Sequence, residues 1–89
     1  MTKTEFLKYA KDQGFSKTGE SEYAPDMNNE RHTHEFAFSA LVLEGQFKLT
    51  TDESEEIITP GKMWALDAGV DHAEQMIGSE PVKFVYAVR

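Results

Sequence analysis

The hydrophobic pattern separates a short N-terminal segment from a longer series of strand-like runs. In the segment TKTEFLKYAKDQG, residues 2–14, Phe6, Leu7 and Ala10 fall on one helical face. Thr2 and Glu5 have the spacing of a capping box, in which each residue satisfies a free amide of the other. The segment predicts a short amphipathic helix that packs against the rest of the chain.

The remaining pattern is typical of β-structure. Residues 15–31 are polar and predict a short strand around 20–24 followed by a loop. From residue 32 onward, turn residues separate the runs FAFSALVL, QFKLT, EEIIT, KMWAL, HAEQMI and VKFVYAV. Short strands at this spacing predict an all-β sandwich or barrel of at most eight strands. We expect one domain over 1–89, with the helix and leading strand in 1–31 and the barrel core in 32–89.

The amino-acid composition limits the kinds of bond and metal site that the chain can form. The 89 residues contain no cysteine, which excludes disulfides, thiolate metal sites and a cysteine nucleophile. Any metal must therefore use nitrogen and oxygen ligands.

Net charge and hydropathy limit the kinds of molecule that the chain is expected to bind. The net charge of −7 argues against nucleic-acid binding, which depends on clustered Lys and Arg. No apolar run reaches the length of a membrane span. We expect a cytoplasmic protein with no nucleic-acid or membrane partner.

Two of the three histidines lie together at the start of an apolar run. His32 and His34 are two residues apart, so on a strand their side chains would point to the same face. Phe36 and Phe38 continue that register. The pattern predicts two imidazoles at the rim of an apolar cavity, where a metal ion would be shielded from water.

The spacing of histidines and glycines resembles the cupins, a family of small jelly-roll β-barrels. The first cupin motif, G(x)5HxH(x)3-4E(x)6G, is matched by His32, His34 and Gly45. The second, G(x)5PxG(x)2H(x)3N, is matched by Gly61, Gly69 and His72. The resemblance covers roughly residues 30–89 and implies a jelly-roll barrel with an N-terminal helix outside it.

Several motif positions depart from the family pattern. The position of the family's glutamate ligand is Phe38, and the other departures are Asp26, Asp67 and Met76. The resemblance therefore implies a metal site of three histidines, His32, His34 and His72, without the carboxylate. Some cupin oxygenases are similar in having such a centre.

Three neutral imidazoles suit a divalent transition metal such as Fe, Zn, Ni or Cu and disfavour Mg and Ca. Open coordination positions and the full charge of the dication would favour a small anionic or chelating substrate. The alternative is that the histidines are hydrogen-bonded polar residues that bind no metal.

The predicted function is that of a metal-dependent enzyme acting on a small organic acid or chelating molecule. Dioxygenase-like chemistry is the leading class, with isomerase and hydrolase roles also open. A different class is a non-catalytic module that binds or senses a small molecule. A metal-free structural barrel is a third.

Further candidates lie in the last two strands. Glu74 shares a face with His72 and could be a general base or hydrogen-bond partner near the metal, or an exposed carboxylate. Tyr86 could point its hydroxyl towards a substrate or pack in the core. Glu35 is either a solvated charge or a replacement ligand, if the strand bulges there.

The run KMWAL offers either pocket-lining or core residues, with Trp64 and Leu66 on one face and Met63 on the other. The run FAFSALVL is apolar on both faces. A second subunit would cover its outer face, so we expect a homodimer.

Overall fold

The N-terminal helix has the predicted capping box. In the computed structural model, which describes residues 1–89, α1 spans Lys3–Asp12. The Glu5 N–H donates to the Thr2 hydroxyl at 3.2 Å, and the Thr2 N–H donates to the Glu5 carboxylate at 2.9 Å. These bonds satisfy two amides that a helix start leaves unpaired. With ten mostly polar residues, α1 has neither the length nor the hydropathy of a membrane-spanning helix.

Eight strands follow the helix, at the upper limit of the predicted number. In chain order they are β1 Lys17–Tyr23, β2 Asn28–His32, β3 Phe38–Glu44, β4 Phe47–Thr51, β5 Glu55–Ile58, β6 Met63–Leu66, β7 His72–Met76 and β8 Val82–Val88.

The strands form two antiparallel four-stranded sheets around a common core. Sheet I has the order β1-β8-β3-β6, and sheet II has the order β2-β7-β4-β5. The main core draws side chains from both sheets, which places it between them. Its members are Ala40, Val42, Phe47, Leu49, Ile58, Trp64, Leu66, Val82 and Phe84. This is the all-β jelly-roll arrangement that the sequence resemblance implied.

The barrel begins earlier than the predicted boundary at residue 32. β1 pairs with β8 and β2 pairs with β7, so residues 17–23 and 28–32 belong to the two sheets. Both are edge strands with mostly exposed side chains, and hydrophobic alternation therefore does not mark them. Their backbone hydrogen bonds come from the neighbouring strand, which a polar edge sequence can accept as well as an apolar one.

The outer face of sheet I is covered by α1. Phe6 and Ala10 are fully buried in a second cluster with Leu41, Val85 and Ala87. Leu7, predicted on the same face, is instead 37% exposed. The apolar outer side of FAFSALVL thus packs against the chain's own helix. The expectation that a second subunit covers this face was wrong, because the amphipathic helix already removes it from water.

Candidate metal centre

The three histidines meet at one end of the barrel. His32, the last residue of β2, lies directly across from His72, the first residue of β7. The ring centroids are 4.2 Å apart for His32 and His72, 4.9 Å for His32 and His34, and 5.1 Å for His34 and His72. One nitrogen from each ring lies within 4.8 Å of the other two. The predicted convergence of two distant segments is therefore present.

Strand alternation predicted that His32 and His34 lie on one strand, but in the structure they do not. β2 ends at His32 and β3 starts at Phe38, so His34 lies in the connection between them. Its carbonyl accepts a hydrogen bond from the Gly69 N–H at 2.8 Å. Gly69 has a φ of 83°, a conformation that glycine adopts without a side-chain clash. The glycine of one motif thus holds the histidine of the other.

Hydrogen bonds orient two of the rings. His32 Nδ1 lies 2.7 Å from the Glu30 carbonyl oxygen, and His72 Nδ1 lies 3.0 Å from the Val70 carbonyl oxygen. Because a carbonyl only accepts, each Nδ1 carries the hydrogen, and a neutral ring then has its lone pair on Nε2. Metal-binding histidines typically donate their second nitrogen in this way.

Glu74 is the carboxylate of the site. It is 4% exposed, and its Oε1 lies 3.5 Å from His72 Nε2 and 3.6 Å from His32 Nε2. Its Oε2 is buried without a hydrogen-bond partner. Glu74 and His72 lie on the buried face of β7, as alternation predicted. The alternative of an exposed carboxylate was wrong, since this strand end faces the barrel interior.

The surroundings shift two pKa values. Burial lowers the pKa of the His34 imidazole, and the nearby rings of His72 and His32 lower it further, against the opposing effect of Glu74. The neutral form, which binds metals, is thereby favoured. Burial raises the pKa of the Tyr23 phenol far above its ordinary range, and the neighbouring Glu74 carboxylate adds to this rise. Tyr23 therefore remains a neutral hydroxyl beside the carboxylate.

A cavity of about 290 Å³ adjoins the histidines. Eight of its twelve lining residues are hydrophobic, and none is Lys or Arg. Its aromatic wall consists of Tyr23, Phe36, Phe38, Trp64, Phe84 and Tyr86. A volume near the lower end of the range for ligand pockets suits a small, mostly apolar molecule.

Two phenylalanines bring this aromatic wall to the metal centre. The Phe36 ring stacks on His34 with centroids 4.9 Å apart and an interplanar angle of 20°. Phe38, at the family's glutamate position, lies 6.4 Å from the His34 ring and stacks against Tyr86. The inward orientation predicted for both is present, although Phe36 remains 41% exposed.

Tyr86 lines the cavity together with Phe84 and Val88, its predicted face-mates. Its ring extends across Gly19 of β1, where the Cβ of any other residue would stand 2.6 Å from the tyrosine hydroxyl oxygen. The absence of a side chain on Gly19 therefore lets the tyrosine hydroxyl lie over the edge strand.

The other candidates divide between the interior and the surface. Trp64 and Leu66 are buried and line the cavity, whereas Met63 packs on the helix side of sheet I, as predicted. Glu35 is exposed and makes no side-chain ion pair or hydrogen bond. Tyr23 was missed, because it ends a polar strand in which only its aromatic side chain hinted at the interior.

The donor set fits a divalent transition metal. Three imidazole nitrogens converge, two of them with the hydrogen on the far side of the ring, and a buried carboxylate stands beside them. Nitrogen donors with one carboxylate suit Zn and Fe(II) better than Mg or Ca. His32, His34 and His72 would hold the ion.

Known proteins resemble the chain in sequence pattern and fold. The cupin domain family model matches residues 19–88. No curated protein sequence matches the chain.

Solved structures share the fold at low identity. The Schizosaccharomyces pombe Cnp3 cupin domain is 17% identical with a TM-score of 0.72, over 80% of this chain and 50% of that one. A Rhizobium leguminosarum protein of unknown function is 22% identical with a TM-score of 0.72, and the match covers 80% of this chain and 66% of that one. A DMSP lyase is 16% identical with a TM-score of 0.71, and the match covers 81% of this chain and 37% of that one.

The chain thus spans between 37% and 66% of the length of these structures, and identities this low show a common fold alone. The family match covers most of the chain and includes both histidine segments and all eight strands apart from the start of β1. The chain belongs to the cupin domain family.

Proposed function

We propose that this cupin binds one divalent transition metal through Nε2 of His32 and His72 and a nitrogen of His34, and acts as a metal-dependent enzyme. The observation that carries the proposal is the pair of Nδ1 hydrogen bonds to backbone carbonyls, which directs both Nε2 lone pairs inward. When bound, such an ion supplies a Lewis acid with coordination positions open to the cavity.

The substrate is a small molecule with an apolar body and one metal-binding head group. Six aromatic side chains line the cavity and would contact the body. Because no Lys or Arg lines the cavity, a carboxylate or other anionic head would find its positive partner only at the metal. A small organic acid or chelating molecule fits, and dioxygenase-like chemistry is the leading reaction class.

Two side chains are candidates for direct roles. Tyr86 would donate a hydrogen bond from its hydroxyl to substrate at the cavity wall. Glu74 would serve either as a general base towards the cavity or as a ligand to the ion.

A non-catalytic binding or sensing module is the second candidate. The mostly apolar lining favours it, since such a wall offers few groups for proton transfer. Metal-loaded protein that takes up a ligand but neither converts it nor consumes dioxygen would identify this role.

Metal dependence is tested by elemental analysis and thermal unfolding. Added Fe(II), Zn, Ni or Cu at a free concentration of 100 times the Kd should stabilise the folded protein by about 2.7 kcal/mol. His34→Ala should lose this stabilisation, because the variant removes one of the three imidazoles that would hold the ion. Glu35→Gln, one residue away and exposed, should retain it. Metal-free protein with unchanged melting in all four metals would remove the basis of the proposal.

A further inference from the structure

The candidate metal centre contains a buried carboxylate with few polar partners in the protein. The Glu74 side chain is 3% exposed, no Lys or Arg lines the adjoining cavity, and Oε2 has no hydrogen-bond partner. The neighbouring Tyr23 hydroxyl can donate a hydrogen bond to this carboxylate but carries no positive charge. Buried carboxylates are costly unless they are paired or bind a metal.

The distances from Glu74 to the rings of His32 and His72 are those of ligands on a shared ion. The separations of 3.5 Å and 3.6 Å between Oε1 and the two Nε2 atoms exceed the range of a good hydrogen bond. Two donors at bond lengths of about 2.1 Å on a tetrahedral ion are about 3.4 Å apart. The carboxylate oxygen therefore lies at ligand spacing from two of the three imidazoles.

The hydrogen bonds of the His32 and His72 rings also support a ligand role for Glu74. With Nδ1–H donated to the backbone carbonyls, the Nε2 atoms of His32 and His72 are the ring nitrogens that face Oε1. A divalent cation between these three atoms would bind to each of them.

We propose that Glu74 Oε1 is a fourth, anionic ligand of the metal, contributed by β7 two residues after His72. The inference rests on the proposed function, because it requires that the histidines bind an ion. Phe38 occupies the glutamate position of the first motif, and Glu74 restores the carboxylate from the opposite sheet.

The fourth ligand changes the expected substrate. A carboxylate ligand lowers the charge of the centre by one relative to three neutral imidazoles, which weakens its attraction for anions. With no cationic side chain in the cavity wall, the preference moves towards neutral or singly charged molecules with an apolar body.

The test compares Glu74→Gln with the wild type in Co(II) and Zn(II) binding. We expect at least a tenfold loss of affinity and a changed visible spectrum of bound Co(II), because the variant replaces an anionic donor by a neutral one. Metal-free Glu74→Gln should unfold at the same temperature as the metal-free wild type or higher, since an amide of the same shape replaces a buried carboxylate. Glu35→Gln removes an equal charge next to His34 from the surface and should change neither property.

Two results would overturn the inference. Wild-type affinity and an unchanged Co(II) spectrum in Glu74→Gln would do so while leaving the three-histidine site intact. A wild-type protein that binds neither Co(II) nor Zn(II) would overturn the proposed function, and the fourth ligand with it.

Discussion

Two turn glycines, Gly45 and Gly78, differ in how tightly the surrounding structure constrains them. Gly45 follows β3 with a φ of 81°, and a Cβ there would collide with the Pro81 carbonyl oxygen and lie 3.0 Å from Val82 Cα. Gly78 has a similar φ of 85°, but nothing lies within 4 Å of a Cβ at that position. The first glycine therefore meets two requirements, a left-handed backbone and a close backbone approach, whereas the second meets only one.

Gly45→Ala should destabilise the protein more than Gly78→Ala. The left-handed conformation alone costs roughly 1–2 kcal/mol for alanine. The added collision with rigid backbone should bring the total for Gly45→Ala to about 2–5 kcal/mol. Urea unfolding of both variants measures the difference, and equal losses would show that the approach of Pro81 does not constrain this turn.

Among the secondary-structure elements, α1 acts as the cover of sheet I. Its inner residues Phe6 and Ala10 are fully buried against β3 and β8, which also form part of the cavity wall on their other face. The helix therefore keeps the outer surface of the sheet dry while the inner surface forms the site.

Phe6→Ala should cost about 3–5 kcal/mol, because it removes a fully buried aromatic ring. Leu7→Ala, its neighbour on the exposed side with 37% exposure, should change stability by no more than about 0.5 kcal/mol. Chemical unfolding monitored by circular dichroism gives both values. Similar small losses for the two variants would mean that α1 does not stabilise the barrel.

At the scale of the whole molecule, the structure changes which surfaces are available for the association of two chains. The outer apolar face is covered by α1, and the large exposed hydrophobic side chains, Met1, Leu7, Phe36 and Ile57, are dispersed along the chain. The edge strands remain, and β1 and β5 carry several charges that disfavour edge-to-edge pairing. A homodimer would therefore need the uncharged edge strand β6 rather than β1, β5 or the face of FAFSALVL.

The homodimer stays a prediction with a direct measurement. Static light scattering at micromolar concentration should give twice the 10.1 kDa chain mass. A mass of one chain at that concentration would contradict it, and would agree with an outer face already covered by the helix.

Local patterns were enough to predict the elements that depend on neighbouring residues. The capping box of Thr2 and Glu5, the runs of β3 to β8, and the inward faces of Trp64 and His72 follow from periods and spacings along the chain. The polar strands β1 and β2 were predicted only in part, since their pairing partners supply what their own side chains do not.

Motif spacing alone was sufficient to specify a cupin barrel with three histidines at the ligand positions, because it controls where turns and strand ends can fall. Three other features depend on long-range packing: α1 covers sheet I, the Gly69 amide holds the His34 carbonyl, and Glu74 is buried against two imidazoles. Alternation along β7 assigns Glu74 a face but not its surroundings. Those come from strands far away in sequence, whose packing excludes water from that face.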